Sequence, residues 1–340
     1  MNKSTDHGFS RREFLAGTSL IGAAALLGLP RTAAAEPPPE TTKLRIFEGP
    51  VTCIAPQYVA QELLYGEGFT DVQYLNYPRD TQSWPPEVLL SGEADISLAF
   101  VPTDIVHIDA GAPVVILAGS HIGCLEVVGS NHVRSTLELK GKTVAIPKLG
   151  TDEHIFISMF SAYVGLNPHK DINWVIHPHA DDVRLLTEGK IDAFMSGPPA
   201  SVELRAKRIG HVIVNTTNDK PWSQYFCCLV TSTKEFVRKH PVATKRALRA
   251  FMKAADVCAF EPERVARLIA DRGLARYDYT LQTLKEIPYG KWREFDPEDA
   301  VRFYALRMRE VGSIKSSPQQ IIAQGTDWRF LNELKRELKA

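Results

Sequence analysis

The chain has 340 residues, of which 44% are hydrophobic and 24% charged, with 40 basic and 40 acidic side chains. This length suggests about two domains or lobes, and the apolar fraction excludes a disordered chain. A net charge of zero gives no global electrostatic argument for nucleic-acid binding. The five cysteines form no CxxC pair and no Cys/His cluster with zinc-finger spacing, and they are too few for a disulfide scaffold.

The first 35 residues are typical of an export signal. Ser10–Leu15 matches the twin-arginine signature, and an uncharged apolar run from Phe14 to Pro30 leads to the small residues Ala33–Ala35. A membrane anchor is the alternative, but the run is shorter than the ~20 apolar residues that a span needs. We therefore predict a twin-arginine signal peptide at 1–35 and a Pro-rich spacer at 36–42. The mature protein would be periplasmic, with a net charge of −2.

The mature chain begins with short strands that alternate with helices. Lys43–Phe47 and Val72–Tyr77 are predicted strands, and Pro56–Gly66 is a predicted helix between them. This alternation indicates βα units and parallel sheets. The last third is predicted to be helical, with N-terminal prolines marking the starts of four helices at Pro241–Phe260, Pro262–Gly273, Pro297–Val311 and Pro318–Leu338.

Two segments resemble each other at an offset of 97 residues. Val88–Phe100 aligns with Leu185–Gly197, and each contains a helix end, a glycine, an aspartate and a buried strand followed by proline. Glycine ends helices because it adopts left-handed backbone angles, and aspartate favours the turn into a strand. Chance similarity of two βα joints is the alternative. Duplication is the better explanation, and it implies two similar sheets with a cleft between their strand ends.

Motifs of catalysis are absent from the sequence. There is no nucleophile elbow, no phosphate-binding loop, no dinucleotide fingerprint and no His-Glu-x-x-His. His177 and His179 would share one face of an extended segment and could bind a metal, but surface or capping roles are the simpler interpretation. Adjacent Cys227 and Cys228 are interpreted as small buried hydrophobes. We therefore expect no catalytic residues, no metal and no cofactor.

The joints after the predicted strands are better candidates for a binding site. The strand Thr143–Ile146 leads into a glycine turn and a helix, where free backbone amides at the helix start favour an anion. Thr151 adds a hydroxyl there, although Thr151 or Asp152 could simply cap the helix. In open α/β sheets, ligands bind outside the carboxyl ends of strands.

The candidate ligand contacts all lie at such strand ends or at a predicted connection between the lobes: Thr52, Tyr77, Arg79, Pro102, Ser120, His121, Gly150, Thr151, Asp152, Ser196, Gly197 and Tyr225. Two helix starts facing one cleft would favour a small anion over a cation. Arg79 or His121 would add charge-assisted hydrogen bonds. Asp152 and Glu153 are the objection, since they would repel an anion unless they point outward as caps.

The repeated Leu-x-x-Gly-x-x-Asp pattern in an exported chain resembles the substrate-binding proteins of ABC importers. The most similar group binds nitrate, sulfonates, taurine or thiamine-pyrimidine precursors, and further matching stretches are Leu117–Cys124, Leu137–Val144 and Glu235–Pro241. The resemblance implies an α/β, two-lobe periplasmic-binding-protein (type II) fold with a ligand cleft between mostly parallel sheets. We place lobe one at 43–128 plus 227–340 and lobe two at 129–226, with crossing strands near Glu126–Ser130 and Tyr225–Thr231.

The resemblance also implies a function. A monomeric receptor would capture a small polar solute by hinge closure and deliver it to an inner-membrane permease and its ATPase. The alternatives are thiamine-pyrimidine precursor binding, a solute sensor, or an enzyme similar to the fungal thiamine-pyrimidine synthases. Those enzymes carry a Cys-Cys-Cys-Phe-Cys stretch where this chain has Cys227-Cys228. Precursor binders carry a Trp-x-Pro-Asn-x-x-x-His turn, and the corresponding segment Glu48–Pro56 contains neither Trp nor His.

Overall fold

The computed structural model describes residues 36–49, 51–76 and 85–338. The predicted twin-arginine signal, Tyr77 and Arg79 lie outside the described residues. Within the described ranges, no helix has both the length and the apolar character needed to cross a membrane.

The described residues contain two five-stranded sheets. The strands are β1 (Lys43–Glu48), β2 (Asp71–Asn76), β3 (Ile96–Phe100), β4 (Val114–Ile122), β5 (Glu126–Gly129), β6 (Thr143–Ile146), β7 (Asn173–Ile176), β8 (Ala193–Ser196), β9 (His211–Asn215) and β10 (Phe226–Thr233). The first sheet has the order β2-β1-β3-β10-β4 and the second the order β7-β6-β8-β5-β9.

Helices flank both sheets. They are α1 (Ala55–Gly66), α2 (Pro85–Leu90), α3 (Val101–Asp109), α4 (Asp152–Tyr163), α5 (Asp182–Thr187), α6 (Ala200–Lys207), α7 (Lys234–Lys239), α8 (Pro241–Phe260), α9 (Pro262–Asp271), α10 (Tyr277–Glu286), α11 (Pro297–Glu310), α12 (Pro318–Gly325) and α13 (Arg329–Glu337). The predicted fold class, two α/β lobes with helix-flanked sheets, is confirmed.

Both sheets are mostly parallel, as predicted, and each contains one antiparallel strand. In the first sheet β1 pairs in parallel with β2 and β3, but β10 is antiparallel to both of its neighbours. In the second sheet β6 pairs in parallel with β7 and β8, and β5 is antiparallel to both of its neighbours. The reason is topological, because β5 and β10 each arrive from the other sheet and enter against the direction of the βα strands.

The repeat at an offset of 97 residues is visible in the backbone. Gly92 and Gly189 both follow a helix with positive φ, +75° and +70°. The Asp95 carboxylate accepts a hydrogen bond from the amide of Arg45 (2.7 Å), and the Asp192 carboxylate accepts one from the amide of Thr143 (2.8 Å). Each aspartate thus ties the start of its own strand to the start of the neighbouring strand in the sheet, β1 for Asp95 and β6 for Asp192, which explains the shared Gly-x-x-Asp spacing.

The connections between the sheets differ from the predicted crossing strands. Glu126–Gly129 lies wholly in the second sheet and Phe226–Thr233 wholly in the first. The chain crosses in the short segments 123–125 and 216–225, which we call the outward and return crossing segments. Consequently the residues 126–128 that were assigned to lobe one pair in the second sheet, and residue 226, assigned to lobe two, pairs in the first.

The predicted helix Pro318–Leu338 is interrupted. It forms α12 and α13, separated by Thr326–Trp328. Thr326 forms a parallel bridge with Ile116 of β4, and the Asp327 amide donates to the Ile116 carbonyl (2.9 Å). Pairing with β4, the edge strand of the first sheet, replaces helical hydrogen bonds here, which a helical periodicity in the sequence does not reveal.

Candidate functional site

The loops after β1, β3, β6 and β8 meet between the two sheets. The amide of Thr52, after β1, donates a hydrogen bond to the carbonyl of Pro198, after β8 (3.2 Å). The hydroxyl of Thr103, after β3, donates to Oδ2 of Asp152, after β6 (2.6 Å). The first contact joins two loops and the second joins the first turns of α3 and α4, so the segments that follow strands of the two sheets face one another.

The space between these loops is small. A cavity of about 10 Å³ lies at the level of the crossing segments, and its lining includes Cys124, Pro198, Thr217, Thr283 and Ile287. One ordered water needs roughly 10–15 Å³. This cavity is therefore too small for a solute as large as a sulfonate.

The turn before α4 uses its amides internally. The Gly150 amide donates to Nδ1 of His154 (3.2 Å), and the Thr151 hydroxyl donates to the Lys148 carbonyl (2.9 Å). Thr151 occupies the N-cap position without a capping hydrogen bond from its side chain. The expected free amide at Gly150 and the expected hydroxyl cap at Thr151 are therefore both absent from this turn.

Asp152 and Glu153 at the start of α4 are buried, and neither points outward as a cap. Burial, together with the neighbouring Glu153, raises the pKa of Asp152 well above its usual range, which favours the neutral acid. Burial also raises the pKa of Glu153, but hydrogen bonds from His179 outweigh it and lower that pKa overall. The two carboxyl groups thus place less net negative charge at the helix start than the sequence suggests.

His179 bridges two carboxylates. Its Nε2 lies 2.9 Å from Glu153 Oε1 and its Nδ1 lies 3.0 Å from Asp182 Oδ2. Although burial lowers the pKa of His179, these two hydrogen bonds raise it to about 10, so the ring is charged at neutral pH. Both ring nitrogens therefore act as donors to carboxylates, and the capping interpretation fits better than a metal site with His177.

Ser120 and His121, near the end of β4, are completely or almost completely buried. Nδ1 of His121 lies 3.0 Å from the Gly123 carbonyl, and its ring packs edge-on against Tyr289 at 5.3 Å. The Ser120 hydroxyl and His121 Nε2 make no hydrogen bond among the described residues. Buried polar atoms without a geometric hydrogen-bond partner are candidates for contact with a bound group.

The remaining predicted contacts surround the same region. Pro102 is buried in the first turn of α3, and Ser196 ends β8. A Cβ placed on Gly197 would lie 3.2 Å from Leu125 of the outward crossing segment. Tyr225, at the end of the return crossing segment, stacks on Phe303 with ring centroids 3.9 Å apart.

Sequence patterns missed several residues at this site. Thr103 and Pro198 make the contacts between loops, and Thr283 of α10 lies 3.3 Å from the Thr52 hydroxyl. Cys53, His121, Cys124 and Cys228 also converge, with donor atoms all within 4.8 Å of one another. No local spacing signals this group, because its members come from four separate segments.

Asp104, beside Thr103, is a fully buried carboxyl group that receives a hydrogen bond from Thr231 (2.6 Å). Burial raises its pKa to about 7, against that hydrogen bond. The folded chain therefore binds a proton more tightly than the unfolded chain, so this group's contribution to stability declines as pH rises from about 4 through 7.

We expect Asp104→Asn to remove this pH dependence. Relative to wild type, the variant should become more stable by up to about 4 kcal/mol at pH 8 and should be unchanged near pH 4. Urea unfolding at both pH values measures the difference.

Asp109→Asn is the control with the opposite expected pH dependence. Hydrogen bonds from Ser316 and Lys315 lower the pKa of Asp109 despite its partial burial, so this variant should lose more stability at pH 8 than at pH 4. A gain for Asp104→Asn that did not vary with pH would contradict the assignment.

The two helix-flanked sheets with facing strand ends have the fold of two-lobed periplasmic binding proteins. Three solved structures illustrate the similarity. The nitrate-binding protein NrtA from Synechocystis PCC 6803 has a TM-score of 0.76 at 18% identity, covering 89% of this chain and 90% of its own. The alkanesulfonate-binding protein SsuA from Xanthomonas axonopodis pv. citri, bound to MOPS, has a TM-score of 0.66 at 16% identity, covering 87% and 100%. The aliphatic sulphonate binding protein SsuA from Escherichia coli has a TM-score of 0.64 at 18% identity, covering 85% and 94%.

The profile of the NMT1-like family matches residues 37–272. The chain therefore belongs to the NMT1-like family, which confirms the resemblance to the sulfonate/nitrate and thiamine-precursor group. No curated protein matches the sequence.

Proposed function

We propose that the chain is the solute-binding receptor of an ABC importer. It captures a small polar solute between the two sheets in the periplasm and hands it to an inner-membrane permease and its ATPase. The observation that carries the proposal is the pair of contacts Thr52–Pro198 and Thr103–Asp152, which directly join segments that follow strands of the two sheets. A solute that bridged these loops would stabilise the closed arrangement over an open one.

The two crossing segments are suited to act as the hinge. Each is short and lies between a strand of one sheet and a strand of the other, so a few backbone rotations would separate the loops. The Ser120 hydroxyl and Asp152 Oδ1 are buried without hydrogen-bond partners among the described residues. We propose both as solute contacts, together with Thr52, Pro102 and Ser196.

The charge of the solute stays a prediction, and we propose a small anion such as a sulfonate. The buried state of Asp152 favours its neutral form, and Glu153 is balanced by charged His179. The two acids that opposed an anion in the sequence are therefore largely neutralised. Against an anion, the Gly150 amide is already engaged with His154.

The cell-biological setting follows from the same proposal. We propose export by the twin-arginine machinery, cleavage after residue 35, a spacer at 36–42 and action as a monomer without nucleic-acid partners. We further propose that the cleft performs no chemistry. A purified protein that converted its solute instead of returning it unchanged would favour the enzyme related to thiamine-pyrimidine synthases.

The solute is best identified from protein purified out of its own periplasm. Native mass spectrometry should detect a small bound molecule, and a thermal-shift screen of nitrate, sulfonates, taurine and pyrimidine precursors should then reproduce its effect. Ligand at ~100 times its Kd adds about 2.7 kcal/mol of stability, enough for a visible shift. A screen in which none of these compounds stabilised the protein would contradict the proposed solute class.

Thr151→Asp tests the charge of the solute. A carboxylate added at the start of α4 should weaken binding of an anion by roughly tenfold or more, because the helix start is worth about 0.3–2 kcal/mol to an anion and the new charge repels it. Calorimetry on wild type and variant measures the change. Thr187→Asp is the matched control, since Thr187 is exposed at the end of α5, before β8 begins. Equal affinity in wild type and Thr151→Asp would exclude an anion at this helix start.

A further inference from the structure

Four buried side chains form a cluster at the base of the strand ends. Cys53, His121, Cys124 and Cys228 are between 1% and 5% exposed, and their donor atoms all lie within 4.8 Å of one another. We call these four residues the thiol–imidazole cluster. One member, His121, is also among the ligand contacts predicted from the sequence, whereas the three cysteines are not.

The fold assembles the cluster from separate elements. Cys53 lies in the loop between β1 and α1, His121 near the end of β4, Cys124 in the outward crossing segment and Cys228 in β10. The pairing of β10 with β4 changes register on both sides of Cys228. Such an irregularity redirects side chains, which explains how two adjacent cysteines in one strand both approach Cys124.

His121 is oriented as a ligand. Its Nδ1 lies 3.0 Å from the Gly123 carbonyl, so Nδ1 carries the proton and donates it there. Nε2 is then an acceptor, and it is buried with no hydrogen bond among the described residues. Histidines that bind metals commonly donate their other ring N–H to a carbonyl, which fixes the tautomer. A buried nitrogen without a partner destabilises the fold unless some group binds it.

The backbone at Cys124 supports the same interpretation. Its φ is +146°, a region that non-glycine residues rarely adopt. The Cys124 amide donates to the Thr216 hydroxyl (3.1 Å), which holds this conformation. A strained residue at a convergence of donor atoms points to a functional constraint, whereas simple packing of small hydrophobes needs no strain.

We propose that the thiol–imidazole cluster binds one Zn²⁺ as a resident ion. Three thiolates and one imidazole are a common tetrahedral donor set for zinc, with Zn–S near 2.3 Å and Zn–N near 2.0–2.1 Å. In a tetrahedral site with these bond lengths, neighbouring donor atoms lie roughly 3.5–4 Å apart. The donor atoms of the cluster lie within 4.8 Å of one another, so zinc binding needs them to move together by about 1 Å or less. Binding displaces the thiol protons to solvent.

All four donors come from the protein and all are buried, as in structural zinc sites, which leave no position for a solute. The ion would tie Cys124 of the outward crossing segment to β4, β10 and the loop before α1. It would therefore hold one side of the crossing in place. This inference does not depend on which solute the cleft captures.

Metal loading of the full chain tests the inference. Reduced, metal-free protein is incubated with Zn²⁺ or Mg²⁺, desalted and analysed for metal content. We expect one zinc per chain and no retained magnesium. Co²⁺ in place of Zn²⁺ should give the absorption bands of a tetrahedral cobalt thiolate, a readout that requires no variant.

Variants then locate the site. Cys228→Ala and His121→Ala should each weaken zinc binding by at least about 100-fold, more than typical losses from outer-shell partners. Cys258 is equally buried but lies outside the cluster, so Cys258→Ala is the matched control and should keep the zinc. Cys227→Ala should also keep the zinc, because Cys227 is not among the four donors. This variant is a strict control, since the Cys227 sulfur lies only 3.5 Å from Cys124 Sγ. Circular dichroism confirms that each variant is folded.

Two results would overturn the inference. Reduced, folded wild type that retained no zinc would exclude the site. Zinc retention unchanged in Cys228→Ala and His121→Ala, with loss in Cys258→Ala, would place the ion elsewhere. A lack of solute binding with zinc retained would instead count against the proposed receptor function alone.

Discussion

Gly123→Ala is expected to destabilise the folded chain by about 2–5 kcal/mol. Gly123 has a φ of +59°, where a side chain costs roughly 1–2 kcal/mol. A Cβ on Gly123 would also lie 2.3 Å from Cα and 2.5 Å from the amide nitrogen of Thr217. Since Thr217 belongs to the return crossing segment, the two segments pack too closely here for any side chain. Urea unfolding measures the loss.

Gly189→Ala separates the two causes. Gly189 has a similar φ of +70°, but a Cβ there would meet nothing within 4 Å. Its replacement should therefore lower the free energy of unfolding only by the cost of a side chain in the left-handed conformation, about 1–2 kcal/mol. The excess loss in Gly123→Ala then measures the contact between the crossing segments. Equal losses in the two variants would show that this contact is unimportant.

Arg205→Met is expected to destabilise the chain by about 3–5 kcal/mol at pH 8, because it leaves a buried carboxylate without its partner. Arg205 of α6 forms ion pairs with Glu126 of β5 and with Glu286 of α10. Glu126 is only 4% exposed, and burial raises its pKa to about 7 even with Arg205 present. The side chain of Arg205 also links a helix beside the second sheet to α10, which contacts the loop at Thr52 through Thr283.

The loss in Arg205→Met should shrink as pH falls. Without Arg205 the pKa of Glu126 rises further above its value of about 7, so the folded variant already takes up a proton as the pH falls from 8 towards 7. Adding Glu126→Gln to Arg205→Met should restore most of the stability at pH 8. Arg184→Met serves as the control, because Arg184 is exposed and its ion pairs with Asp181 and Glu188 lie at the surface. A loss that stayed constant from pH 5 to pH 8 would contradict the role given to Glu126.

The local sequence predicted the elements whose signals are local. Helix α8 begins and ends where its proline and its apolar period place it, at Pro241 and Phe260. Gly92 and Gly189, with the aspartate three residues after each, predicted two equivalent helix-to-strand turns, which the structure confirms. These features depend on backbone angles and on hydrogen bonds to one neighbouring strand, so a short window of sequence contains the information.

Other features depended on pairing across the fold. The break between α12 and α13 comes from the edge of β4, more than 200 residues earlier in the chain. The crossing segments are set by which strands β5 and β10 join, and single-strand patterns carry no information on that choice.

The composition and motifs of the sequence were enough to predict a two-lobed α/β fold, an export signature and a repeated βα unit. Only the tertiary structure decided what its buried polar groups do. The sequence does not show whether Asp152 and Glu153 are charged, because burial and the contact with His179 decide their protonation. Cys53, His121, Cys124 and Cys228 became one group only when β4, β10 and the outward crossing segment met. Protonation and ligand geometry depend on neighbours a few ångströms away in space, and sequence distance does not encode those neighbours.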